Sequence, residues 1–290
     1  MNQQIIFVTG KGGVGKSTVA AAIAFKKANE GSKTLLVELG ERSFYQDFFK
    51  IPQVNYQPTN LQKNLDIALW SGPDCLKEYA LHLLKIESLY RLFFENKVSR
   101  TLINVAPALS ELAILGKITS GPRKHGPPVP YDFVVVDAFA TGHFLSLLRA
   151  PRGMSQAIQY GPMGEQSRSI EKIICDPHIC KYYYVTLPED LPIKETEELD
   201  QTLHHEFGIQ GQWILNRLLE TTLKATDLES SDAQKREKIG FEDYLHAVLS
   251  RQEKIREDLL MKNVDLQPLP FVVENNSLAL VKTLSERIKK

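Results

Sequence analysis

Gly10-Lys11-Gly12-Gly13-Val14-Gly15-Lys16-Ser17-Thr18 follows the apolar run Ile5-Ile6-Phe7-Val8 and precedes the helical run Val19-Ala20-Ala21-Ala22-Ile23-Ala24. A strand, a glycine-rich turn and a helix come in that order, and Gly10, Gly15, Lys16 and Ser17 meet the pattern GxxxxGK[ST]. That is a phosphate-binding loop. Glycines let the backbone come close to a phosphate, so the N–H groups along Gly10, Gly12, Gly13, Val14, Gly15 and Thr18 and the helix N-terminus can face the anion. Lys16 is placed to reach the β- and γ-phosphates, and the Ser17 hydroxyl to ligate Mg²⁺. Lys11 is not required by the pattern. It lies early in the loop, poorly placed for the phosphate its own loop holds. It is either a solvated surface lysine or a group that reaches across a two-fold interface to a second subunit's nucleotide.

The rest of the chain sets bounds. With 290 residues and 43% hydrophobic composition, it has enough apolar material for one α/β domain spanning 1–290. Lys plus Arg equals Asp plus Glu at 35 each, so net charge gives no argument for nucleic acid. The N-terminus lacks the basic and apolar regions of a secretory signal, and no apolar stretch approaches the roughly 20 residues of a membrane span. Three cysteines, Cys75, Cys175 and Cys180, make no disulfide framework. A cytoplasmic location is the expectation.

Apolar runs bounded by turn residues predict strands at Ile5–Thr9, Thr34–Leu39, Leu65–Trp70, Phe133–Asp137, Tyr182–Leu187, Trp213–Asn216 and Leu266–Phe271. Runs without polar alternation are what strands buried on both faces look like. Helical stretches at 16–29, 193–206 and 277–289 alternate with them, which predicts a doubly wound, mostly parallel sheet flanked by helices. Residues 73–120, leucine-rich through Tyr79–Phe94 and Leu102–Ile118, read as a helical insertion ending at the loop Gly121–Pro130. Residues 220–262 are charged and read as an exposed helical hairpin. Ser277–Lys290, with Leu278, Val281, Leu284 and Ile288 on one stripe, is either a membrane-surface helix or a final helix packed on the sheet.

Phe133-Val134-Val135-Val136-Asp137 ends a buried strand in an acid, the place of a Mg²⁺-holding aspartate, although a strand-end aspartate also serves as a helix cap. The string continues Ala138-Phe139-Ala140-Thr141-Gly142-His143. Its Asp137, Thr141, Gly142 and His143 resemble the Asp-Thr-Ala-Pro-Thr-Gly-His element of the arsenical pump-driving ATPases and of the ATPases that target tail-anchored proteins. The loop at 10–18 resembles the deviant Walker A loop of the same group. Tyr131–Pro151, Pro107–Ile118, Leu187-Pro188-Glu189 and Glu195-Thr196 extend the resemblance over most of the chain. It implies a P-loop NTPase fold, ATP and Mg²⁺ as cofactors, and a homodimer closed around nucleotide. It further implies Lys11 acting in trans, Ser17 and Asp137 at the metal, a γ-phosphate-sensing switch at Asp137–His143, and Asn216 against the adenine base.

Three departures stand out. Where the group has Asp-Pro-Ala-His after strand two, this chain reads Val37-Glu38-Leu39-Gly40-Glu41-Arg42-Ser43, which puts Gly40 at the position of the water-positioning aspartate. Glu41 or Glu38 can substitute, since a longer carboxylate can orient a water from a neighbouring position, and Glu41 is preferred. The pump ATPases' metalloid-binding cysteines fall near Ala108 and Gln159, neither of them cysteine here. Cys175-Asp176-Pro177-His178-Ile179-Cys180 departs from the C-x₂-C zinc spacing and is a weak metal signal.

The expected function is a MgATP-dependent dimeric switch that hydrolyses ATP to ADP and phosphate, with Lys11, Lys16, Glu41 and Asp137 as catalytic residues. Closure would be coupled to a protein or membrane client held at the insertion, where Leu81, Leu83, Leu84, Leu89, Leu92, Phe93 and Phe94 line a groove or pack on themselves. An arsenite- or antimonite-stimulated pump ATPase and a partitioning or cell-organising ATPase of the same loop class are the alternatives.

Overall fold

The computed structural model describes residues 3–84, 107–220 and 240–289. Among these residues eight strands form one sheet: β1 (Gln4–Gly10), β2 (Thr34–Leu39), β3 (Thr59–Gln62), β4 (Leu65–Trp70), β5 (Phe133–Ala140), β6 (Cys180–Thr186), β7 (Gln212–Leu218) and β8 (Leu266–Pro270). Their order is β3-β4-β2-β5-β1-β6-β7-β8, and every pairing is parallel except β3 with β4. The helices are α1 (Lys16–Asn29), α2 (Phe44–Phe48), α3 (Gly72–Leu84), α4 (Pro107–Ile118), α5 (Ser120–Arg123), α6 (Thr141–Ala157), α7 (Pro162–Ile174), α8 (Asp190–Phe207), α9 (Phe241–Met261) and α10 (Ser277–Arg287).

The alternation of side chains along β1 shows why the strands are apolar throughout. Ile5 and Phe7 enter one core with Phe144, Leu147 and Leu148 of α6; Ile6 and Val8 enter the other with Val19 and Ile23 of α1 and Val281 and Leu284 of α10. A strand covered on both faces has no position left for a polar residue. Phe7 anchors the first core, stacked on Tyr182 with centroids 5.2 Å apart and tilted against Phe144 at 5.9 Å.

All seven predicted strands are present, within two or three residues at their ends. Strand β3 was not expected: Thr59-Asn60-Leu61-Gln62 carries a single large apolar side chain and reads as loop. It pairs because Asn64, at φ 63°, takes the left-handed conformation that turns it back on β4. The Gly121–Pro130 loop is likewise modified at its start, since Ser120–Arg123 forms the short helix α5, closed by Lys124 at φ 53°. The C-terminal stripe faces inward. Val281, Leu284 and Ile288 are buried with the α1 core, so α10 is a packed helix and only Leu278 of that stripe is exposed. Among the described residues no helix is long and apolar enough to cross a membrane.

The described part of 73–120 is the helix pair α3 and α4. Lys117 on α4 ties them together: its Nζ lies 2.6 Å from Glu78 Oε2 and over the rings of Tyr56 and Trp70. Leu89, Leu92, Phe93 and Phe94 lie outside the described residues, as does 221–239 of the expected charged hairpin, whose remainder is α9.

Replacing Phe7 with Ala removes the ring that joins β1, β6 and α6 and leaves a cavity in a filled core. Urea denaturation should show a loss of about 3–5 kcal/mol. A shift under about 1 kcal/mol would mean that this core collapses around the gap.

Candidate functional site

The loop 10–15 leaves β1 and runs directly into α1. Its shape depends on two strands on the far side. A Cβ at Gly10 (φ 149°) would lie 2.1 Å from the Val185 carbonyl oxygen of β6, so no side chain is tolerated there. Gly15, the residue before α1, sits at φ 91° against the Asn216 amide of β7. Asn216 Nδ2 donates to the Val14 carbonyl at 2.9 Å, bracing the loop from behind. Gly12 and Gly13, by contrast, face open space. The N-terminus of α1 has no side-chain cap and no acidic residue in its first turn, so its free N–H groups and positive dipole end are available to an anion. The loop therefore fits a phosphate.

Lys16 Nζ crosses the loop to the Lys11 carbonyl at 3.2 Å. Burial pushes its ammonium below the ordinary lysine value, partly offset by Asp137. Asp137, near the end of β5 and 6% exposed, accepts from Ser17 and from Tyr45, whose Oη lies 3.1 Å away. Burial is the main reason its carboxyl is pushed up to about 6; the Ser17 and Tyr45 hydrogen bonds oppose this, Glu38 adds to it, and Lys16 opposes it. A buried carboxylate beside a serine hydroxyl offers the oxygen donors that a hard cation such as Mg²⁺ prefers. The donor set fits that metal.

The segment after β2 separates the two candidate glutamates. Glu38 is buried and fully engaged: Oε2 accepts from Ser43 Oγ at 2.6 Å and Oε1 from the Phe44 N–H at 2.6 Å. Burial raises its pKa and these bonds lower it. It thus fixes the start of α2, which in turn places Tyr45 under Asp137. Glu41 is exposed and borders a cleft of about 470 Å³ with Gly40, Glu111, Phe139 and His143. His143 stacks on Phe139 at 3.9 Å, and its Nε2 lies 3.7 Å from Glu111 Oε1. The other Glu111 oxygen is buried with no hydrogen-bond partner among the described residues.

Lys11 is not a free surface lysine. Its Nζ is 2.6 Å from Glu195 Oε1 on α8, both side chains about one-third exposed at 28% and 32%. The structure thus gathers Lys16, Ser17, Asp137 and Asn216 around one loop, sets Glu41 across a neighbouring cleft and turns Lys11 toward α8. Sequence reading missed Tyr45, Glu111 and the Lys11–Glu195 pair, whose partners are 92, 32 and 184 residues apart. It also missed Arg217, which follows Asn216 at φ 58° with its guanidinium beside Gly15. Among the described residues no three His, Cys, Asp or Glu side chains converge on a metal site, and Cys180 is buried while His178 is exposed.

The Asp137 carboxyl has a stability signature. Its folded-state value lies above the ordinary one near 4, so between about pH 4 and 6 the folded chain keeps a proton that the unfolded chain has lost. Stability from this group is therefore full at acid pH and lost as pH rises through about 6. Measured without nucleotide, the stability of Asp137→Asn relative to wild type should improve by about 2 kcal/mol from pH 4 to pH 7. A difference that stays flat across that window would mean the carboxyl titrates normally.

A sequence profile described as Anion-transporting ATPase matches residues 3–163. Among similar proteins, the ATPase BagA of Mycobacterium tuberculosis is 32% identical over 236 residues, covering 76% of this chain and 67% of that protein. A putative arsenical pump-driving ATPase of Halobacterium salinarum is 31% identical over 231 residues, and an arsenical pump-driving ATPase of Escherichia coli 29% over 223. Each of these two matches covers 74% of this chain but only 35% of the relative, so the chain spans about a third of their length. With a phosphate-binding loop on a parallel sheet and a profile match over more than half its length, the chain is an ATP-hydrolysing enzyme of the anion-transporting ATPase family.

Proposed function

We propose that this ATPase works as a MgATP-dependent homodimeric switch, with Lys11 crossing to the partner's nucleotide and closure coupled to a protein or membrane client at α3 and α4. The observation that supports the reading most is the direction of Lys11. Lys16 already crosses its own loop, while Lys11 is turned toward α8 and held by Glu195. An ammonium so placed adds nothing to its own phosphate site, but it can neutralise charge on one brought against that side.

In this reading the loop N–H groups, Lys16 and the start of α1 bind and orient the triphosphate, and Asn216 combines its brace on Val14 with a contact to the base. Ser17 and Asp137 would hold Mg²⁺, which supplies charge neutralisation between the phosphates. Glu41 positions the attacking water, because Glu38 has both carboxylate oxygens committed to the start of α2. Phe139 and His143 then carry the change at the phosphate end to Glu111 on α4. Positioning and charge stabilisation dominate such a transfer. The arsenite reading is disfavoured by thiol chemistry: a soft metalloid needs thiolates, and burial pushes the Cys75 thiol up to about 12 and the Cys180 thiol higher still.

Lys11→Ala should lose ATP-dependent association in light scattering and slow turnover roughly 10³-fold, while a single chain still binds nucleotide. Unchanged turnover sinks the trans lysine. Glu41→Gln should slow single-turnover hydrolysis roughly 10²-fold. If Glu41→Gln keeps the wild-type rate, another group positions the water.

A further inference from the structure

On the opposite face of α4 from Glu111 lies a second cavity, of about 330 Å³, enclosed by α3, α4 and the start of α7. Its walls are Leu76, Leu109, Leu112, Ala113, Met163 and Ile170. An apolar hollow of this size between helices forfeits dispersion contacts that side chains would otherwise make, which is a cost unless something fills it. Its volume is in the range of small-molecule pockets, which are apolar with a few convergent polar groups.

Three of its lining residues, Tyr79, Gln166 and His125, are polar, and Arg123 of α5 is bonded to two residues of the lining, Gln166 and Gly116. Arg123 donates from Nη1 to Gln166 Oε1 at 2.5 Å, from Nη2 to the Gly116 carbonyl at 2.6 Å and from Nε to Thr119 Oγ1 at 2.9 Å. All three acceptors are neutral, and among the described residues no carboxylate pairs with this guanidinium. A half-buried cation without an anion is costly. Burial lowers the Arg123 pKa, and only the Tyr79 hydroxyl nearby opposes that. Because the Gln166 carbonyl is used by Arg123, what Gln166 has left is its amide NH₂, a donor. The Tyr79 hydroxyl has no hydrogen-bond partner among the described residues and is a second donor. Donors in front of a cation select an anionic acceptor.

We propose that this cavity is a binding site for an amphiphilic carboxylate, its aliphatic tail among the leucines of α3 and α4 and its carboxylate at Tyr79, Gln166 and His125 under the charge of Arg123. A single guanidinium charge with two neutral donors in front of it matches a singly charged carboxylate better than a multiply charged phosphate. The site is separate from the nucleotide loop, with α4 standing between it and the cleft that holds Glu41 and His143.

Decanoate is the probe, titrated calorimetrically into the full-length protein. Saturation at one molecule per chain is expected, with decanol, the same tail without the charge, binding at least roughly tenfold more weakly. Ala113→Leu fills the cavity and should weaken decanoate by a similar factor while ATP affinity and melting temperature stay at wild-type values. Arg123→Gln should do the same, and if that variant does not fold, the decanoate–decanol ratio in the wild type carries the charge argument. Saturating ATP should leave decanoate binding intact. The proposal is overturned by the absence of saturation below the micelle-forming concentration, by equal affinity for decanol, by insensitivity to Ala113→Leu, or by displacement with ATP. It is equally overturned if an apolar helical peptide binds in an Ala113→Leu-sensitive manner and decanoate does not.

Discussion

The loop between β1 and α1 is held open by contacts from strands that follow it by more than 170 residues. Gly10 lies against the Val185 carbonyl, and the Asn216 amide grips the Val14 carbonyl while pressing on Gly15. A six-residue turn with four glycines would otherwise sample many conformations. Wedging it against the carboxyl ends of β6 and β7 fixes its shape from behind. That requires β6 and β7 to run parallel to β1 in register with it, and both pairings depend on the two apolar cores. The anion site is thus a product of the whole sheet.

The same ends of the sheet concentrate charge that the interior does not favour. Glu38 and Asp137 are register partners on β2 and β5, both buried, with Lys16 between the loop and Asp137. Each is stabilised differently. Glu38 is saturated by the start of α2, whereas Asp137 has only two hydroxyl donors, and burial raises the proton affinity of both. One acid is fully satisfied within the protein and the other is left electrostatically unfinished.

What could be read from the sequence followed from how local each signal is. The loop, the buried strands and the strand-end Asp137 are written in consecutive residues, and the sheet and its ligand end follow from their alternation. Strand β3 was missed because its pairing comes from a turn at Asn64 and not from apolar residues. The preference for Glu41 over Glu38 draws nothing from their spacing, which does not reveal that Ser43 and the Phe44 N–H consume Glu38. The Lys11–Glu195 pair, the Tyr45 hydroxyl under Asp137 and the Arg123 cluster bring together residues whose separations carry no pattern, so only the folded chain discloses them.

The tether between Lys11 and Glu195 also has a quantitative side. Both groups are about one-third exposed, so the pair contributes at most about 1 kcal/mol. Any process that needs the Lys11 ammonium elsewhere must first release it, and 1 kcal/mol lowers the competent fraction by a factor of about five. For two chains that must both let go, the penalties multiply to about twenty-five-fold. Such a contact is too weak to act as a lock and strong enough to set a concentration threshold, which salt would lower by screening the pair.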